Sequence, residues 1–194
     1  YGELLFQFGE YGRRGQSPTF NLKNQDHLAF GTYLGMRFKY QKSKWRPFVD
    51  LSLWYISGDD DDPNADTNHD LVTYEDIDST LIIEENDYGL DIDSNYWAIK
   101  FQSGVSLAPL LKEEIRLAVV YAHFRAIDVM PGRSRSMGDE IDIRLTWEYS
   151  PDLIFSLAAE ILFNSRYLEQ AFDEIGARGK SHTFIVRFES MLRF

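Results

Sequence analysis

No cysteine occurs among the 194 residues, which excludes a disulfide framework, thiol nucleophiles and thiolate metal sites. No run of 18 or more apolar residues occurs either, which excludes an ordinary membrane-spanning helix. A membrane β-barrel stays open, because its strands alternate in polarity, and a mean hydropathy of −0.35 is compatible with one. Catalytic signatures are also missing: there is no G-x-S-x-G, no H-E-x-x-H and no phosphate loop. His27, His69, His123 and His182 are scattered without ligand spacing. Asp139 and Glu140 adjoin, but they read as the start of a strand and not as an acid–base pair. The expectation is a chain that is not an enzyme and holds no resident cofactor. Lys and Arg are missing from one place. Between Asp59 and Asp93 there are 14 acids and no basic residue, leaving 17 acids against 20 bases elsewhere. The net charge of −11 therefore describes an acidic insertion on a mildly basic body. With no basic groove or motif, nucleic acid is not an expected partner.

What the sequence has in abundance is period 2. In the last stretch, Ser181–Phe194, Phe184, Val186, Phe188, Leu192 and Phe194 fall on one side of an extended chain, with Arg187, Glu189 and Arg193 on the other. The same alternation predicts seven more strands: Gly2–Tyr11, His27–Tyr40, Pro47–Ser57, Asn95–Leu107, Glu114–Phe124, Gly138–Ser150 and Leu153–Phe163. One segment has a rival, because Ser150-Pro151 also suits a helix start and Leu153–Phe172 contains good helix formers. The strand is preferred for its match to its neighbours in length and frame. Connections alternate between short turns (41–46, 108–113, 150–152) and long loops (12–25, 58–94, 125–137, 164–180).

These features predict an all-β protein, an antiparallel transmembrane β-barrel with a long acidic extracellular loop at 58–94, in a single domain over 1–194. Charge is confined to one face of each strand. Arg37, Lys39, Asp50 and Lys100 are expected to line the pore. So are Arg116, Asp142, Arg144 and Glu148, and then Glu160, Arg187 and Glu189. Small residues share that face, which suits a crowded or hydrated lumen. Tyr11, Tyr40, Trp45, Tyr55, Tyr96, Trp97, Tyr121, Trp147 and Tyr149 lie near predicted strand ends, where aromatic girdles belong. In the opposing reading, a soluble sandwich or lipocalin-like barrel, Phe30, Leu51, Phe101 and Ile143 would meet in a common interior.

Short runs along the chain add a resemblance. W-Y-I-S-G-D-D-D-D-P (54–63) resembles the strand-to-loop junction of the alginate-export family of outer-membrane barrels. So does G-L-D-I-D-S-N-Y (89–96), followed by a strand ending L-A-P (107–109). G-D-E-I-D-I-R-L-T-W-E-Y (138–149) resembles that family's penultimate region, and the Phe-terminated last strand fits. The similarity covers 33–194. It implies that the chain is the C-terminal portion of a larger barrel, of about 16–18 strands, in the outer membrane of a Gram-negative bacterium. It also implies passage of an anionic polysaccharide of the alginate type.

The expected activity is that of a porin or channel for a polar or anionic solute, with membrane lipid and lipopolysaccharide around it. The alternative is a non-conducting structural barrel whose acidic outer loop binds a partner protein. The pore-facing bases either form a field for anions or pair with Asp50, Asp142, Glu148, Glu160 and Glu189. In the insertion, Asp59, Asp61 and Asp66 are candidate calcium ligands, although the Gly and Glu spacing of an EF-hand is absent. Thr80–Glu84 is β-prone and either makes an outer hairpin or folds inward as a plug.

Overall fold

The computed structural model of the chain describes residues 1–11, 25–59, 67–71, 80–84, 92, 94–111, 114–163, 165–167, 169–170 and 182–193. Eight long strands follow one another through a single antiparallel sheet: β1 (Gly2–Tyr11), β2 (Gln25–Lys39), β3 (Phe48–Ile56), β5 (Tyr96–Ser106), β6 (Ile115–Ala126), β7 (Ser136–Ser150), β8 (Leu153–Phe163) and β9 (Thr183–Leu192). A two-residue strand, β4 (Thr67–Asn68), lies parallel to β2 at Asp26 and His27, on the side that β3 has vacated beyond Ile56. The first short turn closes with the Tyr40 N–H donating to the Pro47 carbonyl at 2.9 Å. The second, expected as a short turn over 108–113, holds one turn of helix, α1 (Ala108–Leu111).

The helical alternative for 153–172 is not adopted: Leu153–Phe163 pairs with β7 and β9 throughout. Helical backbone begins only after it, where the Glu169 N–H donates to the Ser165 carbonyl. Among the described residues β1 and β9 do not pair with each other, so the sheet has two open edges.

Burial runs opposite to that of a water-soluble sheet. The apolar face is the exposed one: Phe8 is 84% exposed, Met36 73% and Phe188 68%. Register makes this face continuous from strand to strand. Leu34 stands opposite Leu53, Leu53 opposite Ile99, Phe101 opposite Tyr121, Ile161 opposite Phe184. Leu51, Phe101 and Ile143, which a soluble core would have gathered, are all exposed. Phe30 is half-buried, beside the rings of Phe6 and Tyr55. The charged face is covered over its loop half and middle, with Lys100 3% exposed and Glu140 and Asp142 both 0%. What covers it is part of the acidic insertion. Leu71, Ile82 and Ile83 pack with Ala98, Ala122, Phe124 and Leu162 of the sheet. Thr80–Glu84 folds back against the polar face of the sheet, which of the two expectations excludes a free outer hairpin.

The base of the insertion is tightly fastened. Asn95, at φ 61°, donates from Nδ2 to the carbonyls of Asp59 and Asp128 and accepts the Asp128 N–H on Oδ1. Gly58 lies so close that a Cβ there would stand 2.0 Å from the Asn95 Cβ. Only glycine admits this approach of two backbones.

Candidate functional site on the polar face

At the loop end of the polar face, two carboxylates fasten the folded-in segment. Glu140, on β7, accepts three successive backbone N–H groups, from Leu81 (2.8 Å), Ile82 (2.6 Å) and Ile83 (3.0 Å). Glu84, at the end of that segment, returns the favour to the sheet. It accepts the Tyr96 hydroxyl at 2.7 Å and pairs with the Lys100 ammonium. It also accepts the Thr80 N–H and hydroxyl, at 3.2 and 3.1 Å. Lys100 lies 4.0 Å from the Trp54 ring centroid and 5.5 Å from that of Phe124. Both members of the Lys100–Glu84 pair are almost fully buried, so each depends on the other to offset its desolvation.

The middle of the face is a charge ladder. Asp142 and Glu160 are opposite each other across β7 and β8, both buried. Arg144 reaches Asp142 at 3.2 Å, and Arg187 bridges Glu160 at 3.5 Å and Glu189 at 3.3 Å. One oxygen of Asp142 and one of Glu160 accept no hydrogen bond from a described residue.

The turn end is different. Arg37, Lys39, Arg46 and Arg116 surround an open bowl of about 720 Å³, with Gln102 in its wall and Glu114 the one carboxylate among the described residues that line it. Some of this charge is shared: Arg37 with Asp50, Arg116 with Glu148 at 3.2 Å, Arg46 with Glu114 at 3.0 Å. These cations stay far more exposed than Lys100, the Arg46 and Arg116 side chains at 63% and 57%. A neighbouring hollow of about 280 Å³ joins the bowl to the aromatic half, lined by Tyr33, Trp54, Asp50, Ser52, Lys100 and Gln102. There the Tyr33 and Trp54 rings stack at 4.7 Å.

All eleven residues expected on the pore side share this polar face. The bowl gathers Arg37, Lys39 and Arg116. Asp50, Glu148, Glu160 and Glu189 each pair with a predicted base, and so does Asp142. Lys100 pairs instead with Glu84 of the insertion, a partner the strand pattern did not offer. Tyr96 is a correction: it points inward to Glu84, is 3% exposed, and does not belong to an outer girdle. The side chain of Tyr11 lies outside the described residues. Tyr40, Trp45, Tyr55, Tyr121 and Tyr149 are exposed, and Trp97 and Trp147 are partly so.

Glu140 and Glu84 were missed as functional residues. The available signal for Glu140 was phase, since it is two residues before Asp142 and four before Arg144 on the same side. Of the calcium candidates, Asp61 and Asp66 lie outside the described residues, while Asp59 donates its N–H to Asp70 at 3.0 Å. Among the described residues no group of three acids or histidines is placed to hold a metal.

An Asp–His pair does exist, on the opposite, apolar face. His123 Nδ1 lies 2.9 Å from Asp139 Oδ1, which also accepts the Tyr121 hydroxyl at 2.8 Å. Across the register His123 faces Ile99 and Asp139, and its ring lies 5.6 Å from that of Trp97. The two hydrogen bonds satisfy a carboxylate on a greasy surface.

No family model matches this chain, and no curated protein matches it either. The resemblance to alginate exporters therefore rests on the short runs that carry it.

Proposed function

We propose that this sheet is part of the wall of a transmembrane β-barrel and that the chain serves as an outer-membrane channel for a polar or anionic solute. The inverted burial carries the reading. More than twenty apolar side chains of the long strands are exposed on one continuous face. Leaving such a side chain in water forfeits about 1.5–3 kcal/mol, tens of kcal/mol for the whole face. Net stabilities of domains are only about 5–15 kcal/mol. Hydrocarbon removes that penalty, and the charged side, turned to a lumen, keeps its ions in a polar setting. The two open edges fit the same picture. Unpaired strand edges are not tolerated in lipid, so a barrel of this kind closes them with further strands or with each other. A larger barrel of about 16–18 strands, as the alginate-export resemblance implies, supplies them. The four-cation bowl supports an anionic solute, and an exported polysaccharide of the alginate type is one that fits.

The test is reconstitution in planar bilayers. Discrete conductance steps with a preference for anions are expected. Full insertion without current would overturn the channel and favour the second reading. That reading, a non-conducting barrel whose acidic loop binds a partner protein, has its own support: the loop end of the polar face is filled by Ile82, Ile83 and Glu84. Phe101→Arg separates lipid from water. In a bilayer it should cost about 2–4 kcal/mol, whereas on a water-exposed surface it would change stability by about 0.5 kcal/mol at most.

A further inference from the structure

Lys42, Lys44 and Arg46 crowd one six-residue turn, and neither the pore nor the plug uses the two lysines. Together with Gln41 and Ser43 they line a shallow hollow of about 430 Å³, closed on its far side by Ala108 and Pro109 of the next turn. Among the described residues no carboxylate lines it. Arg46 reaches Glu114, but Lys42 and Lys44 are exposed and form no ion pair with a described residue.

The turn is also preorganised. The Arg46 N–H donates to the Ser43 carbonyl at 3.1 Å with Arg46 at φ 41°, and the Trp45 N–H donates to Ser43 Oγ at 3.2 Å. The Trp45 carbonyl accepts the Ser106 N–H at 2.7 Å, tying this turn to the next. Beside the hollow stand three exposed apolar side chains, Trp45, Leu110 and Leu111. The apolar face begins directly above with Phe38 and Val49, paired across β2 and β3.

We propose that this hollow binds the phosphate of an anionic phospholipid headgroup, with the acyl chains running up the apolar face past Trp45. The proposal rests on the reading of that face as lipid-facing. Two exposed ammonium groups, with the Glu114-paired guanidinium of Arg46 beside them, select a phosphate, since cations near a membrane surface are drawn to anionic lipid. The apolar collar selects its source. A free phosphate ion needs no collar, whereas a lipid headgroup brings chains that must be covered. Tryptophan at such a lip is at home, with its ring in the apolar layer and its N–H among the headgroups.

The experiment uses the full chain in phosphatidylcholine vesicles that contain brominated lipid, with Trp45 emission isolated by difference from Trp45→Phe. Brominated phosphatidylglycerol should quench Trp45 on the order of tenfold more effectively, mole for mole, than brominated phosphatidylcholine. In Lys42→Gln/Lys44→Gln the two lipids should quench alike, and because both side chains are exposed the fold should be retained. Equal quenching in the unsubstituted chain, or a preference that survives the double substitution, overturns the headgroup site while the barrel stands. Loss of the preference in millimolar inorganic phosphate reassigns the hollow to the free ion and overturns the lipid assignment. Failure of the chain to float with pure phosphatidylcholine vesicles overturns the lipid-facing reading and this site with it.

Discussion

At the loop end of the polar face, Lys100 is boxed between Trp54, Tyr96, Phe124 and Glu84. At the turn end of the same face, Lys39 and Arg116 stand at the rim of an open bowl. Lys100 and Arg116 come from adjacent strands, and their positions in the alternation are equivalent. What separates them is the insertion. Thr80–Glu84, with Leu71, cover the loop half of the face, and among the described residues none of the insertion lines the bowl at the turn half. A strand pattern can thus tell which way a charge points but not whether another part of the chain will reach it.

The comparison breaks most severely at Glu140. Glu140→Leu leaves three N–H groups without their acceptor and should weaken the covered half by about 3 kcal/mol. Hydrogen exchange at Leu81, Ile82 and Ile83 should rise on the order of a hundredfold. Unchanged protection there would mean that the segment is held by apolar packing alone. Glu140→Gln, which keeps one acceptor oxygen, should fall between.

Lys100→Met tests the second fastening. It strands Glu84 in a buried site and should cost about 3 kcal/mol in denaturant unfolding. Adding Glu84→Gln should restore much of that loss, and a double-mutant cycle measures the coupling. Additive losses would show that the two charges do not depend on each other.

Gly58→Ala acts at the root of the insertion. The new Cβ meets Asn95 at 2.0 Å from its Cβ and 2.3 Å from its Cα, so the two backbones must separate. A loss of about 1–2 kcal/mol, with faster proteolysis inside the insertion, is expected. The smallest effect on folding belongs to the open half. Lys39→Gln with Arg116→Gln should leave stability within about 0.5 kcal/mol. The anion preference in bilayers should nevertheless fall. A large stability loss would show that the bowl is structural.

Much of this was legible in advance. β1 and β8 coincide with the predicted Gly2–Tyr11 and Leu153–Phe163, and the other long strands agree to within two residues at each end. Period 2 specifies a strand and its faces at once, so the eleven polar-face residues were placed along with the strands. The partners were less legible. Arg37 with Asp50 and Arg116 with Glu148 follow from neighbouring strands. Glu84 with Lys100 does not, because Glu84 stands 16 positions earlier and outside the predicted strands, so the contact leaves no periodic trace. Glu140 was hidden for another reason: its partners are backbone amides, which every residue type but proline supplies.

That last contact has a consequence for variation. A fastening that grips only main-chain amides is indifferent to what hangs from them. Residue 81, the half-buried one of the three, can change its side chain while the grip of Glu140 persists, whereas Ile82 and Ile83 are bound also by their packing. Proline alone, with no amide hydrogen to offer, would let go.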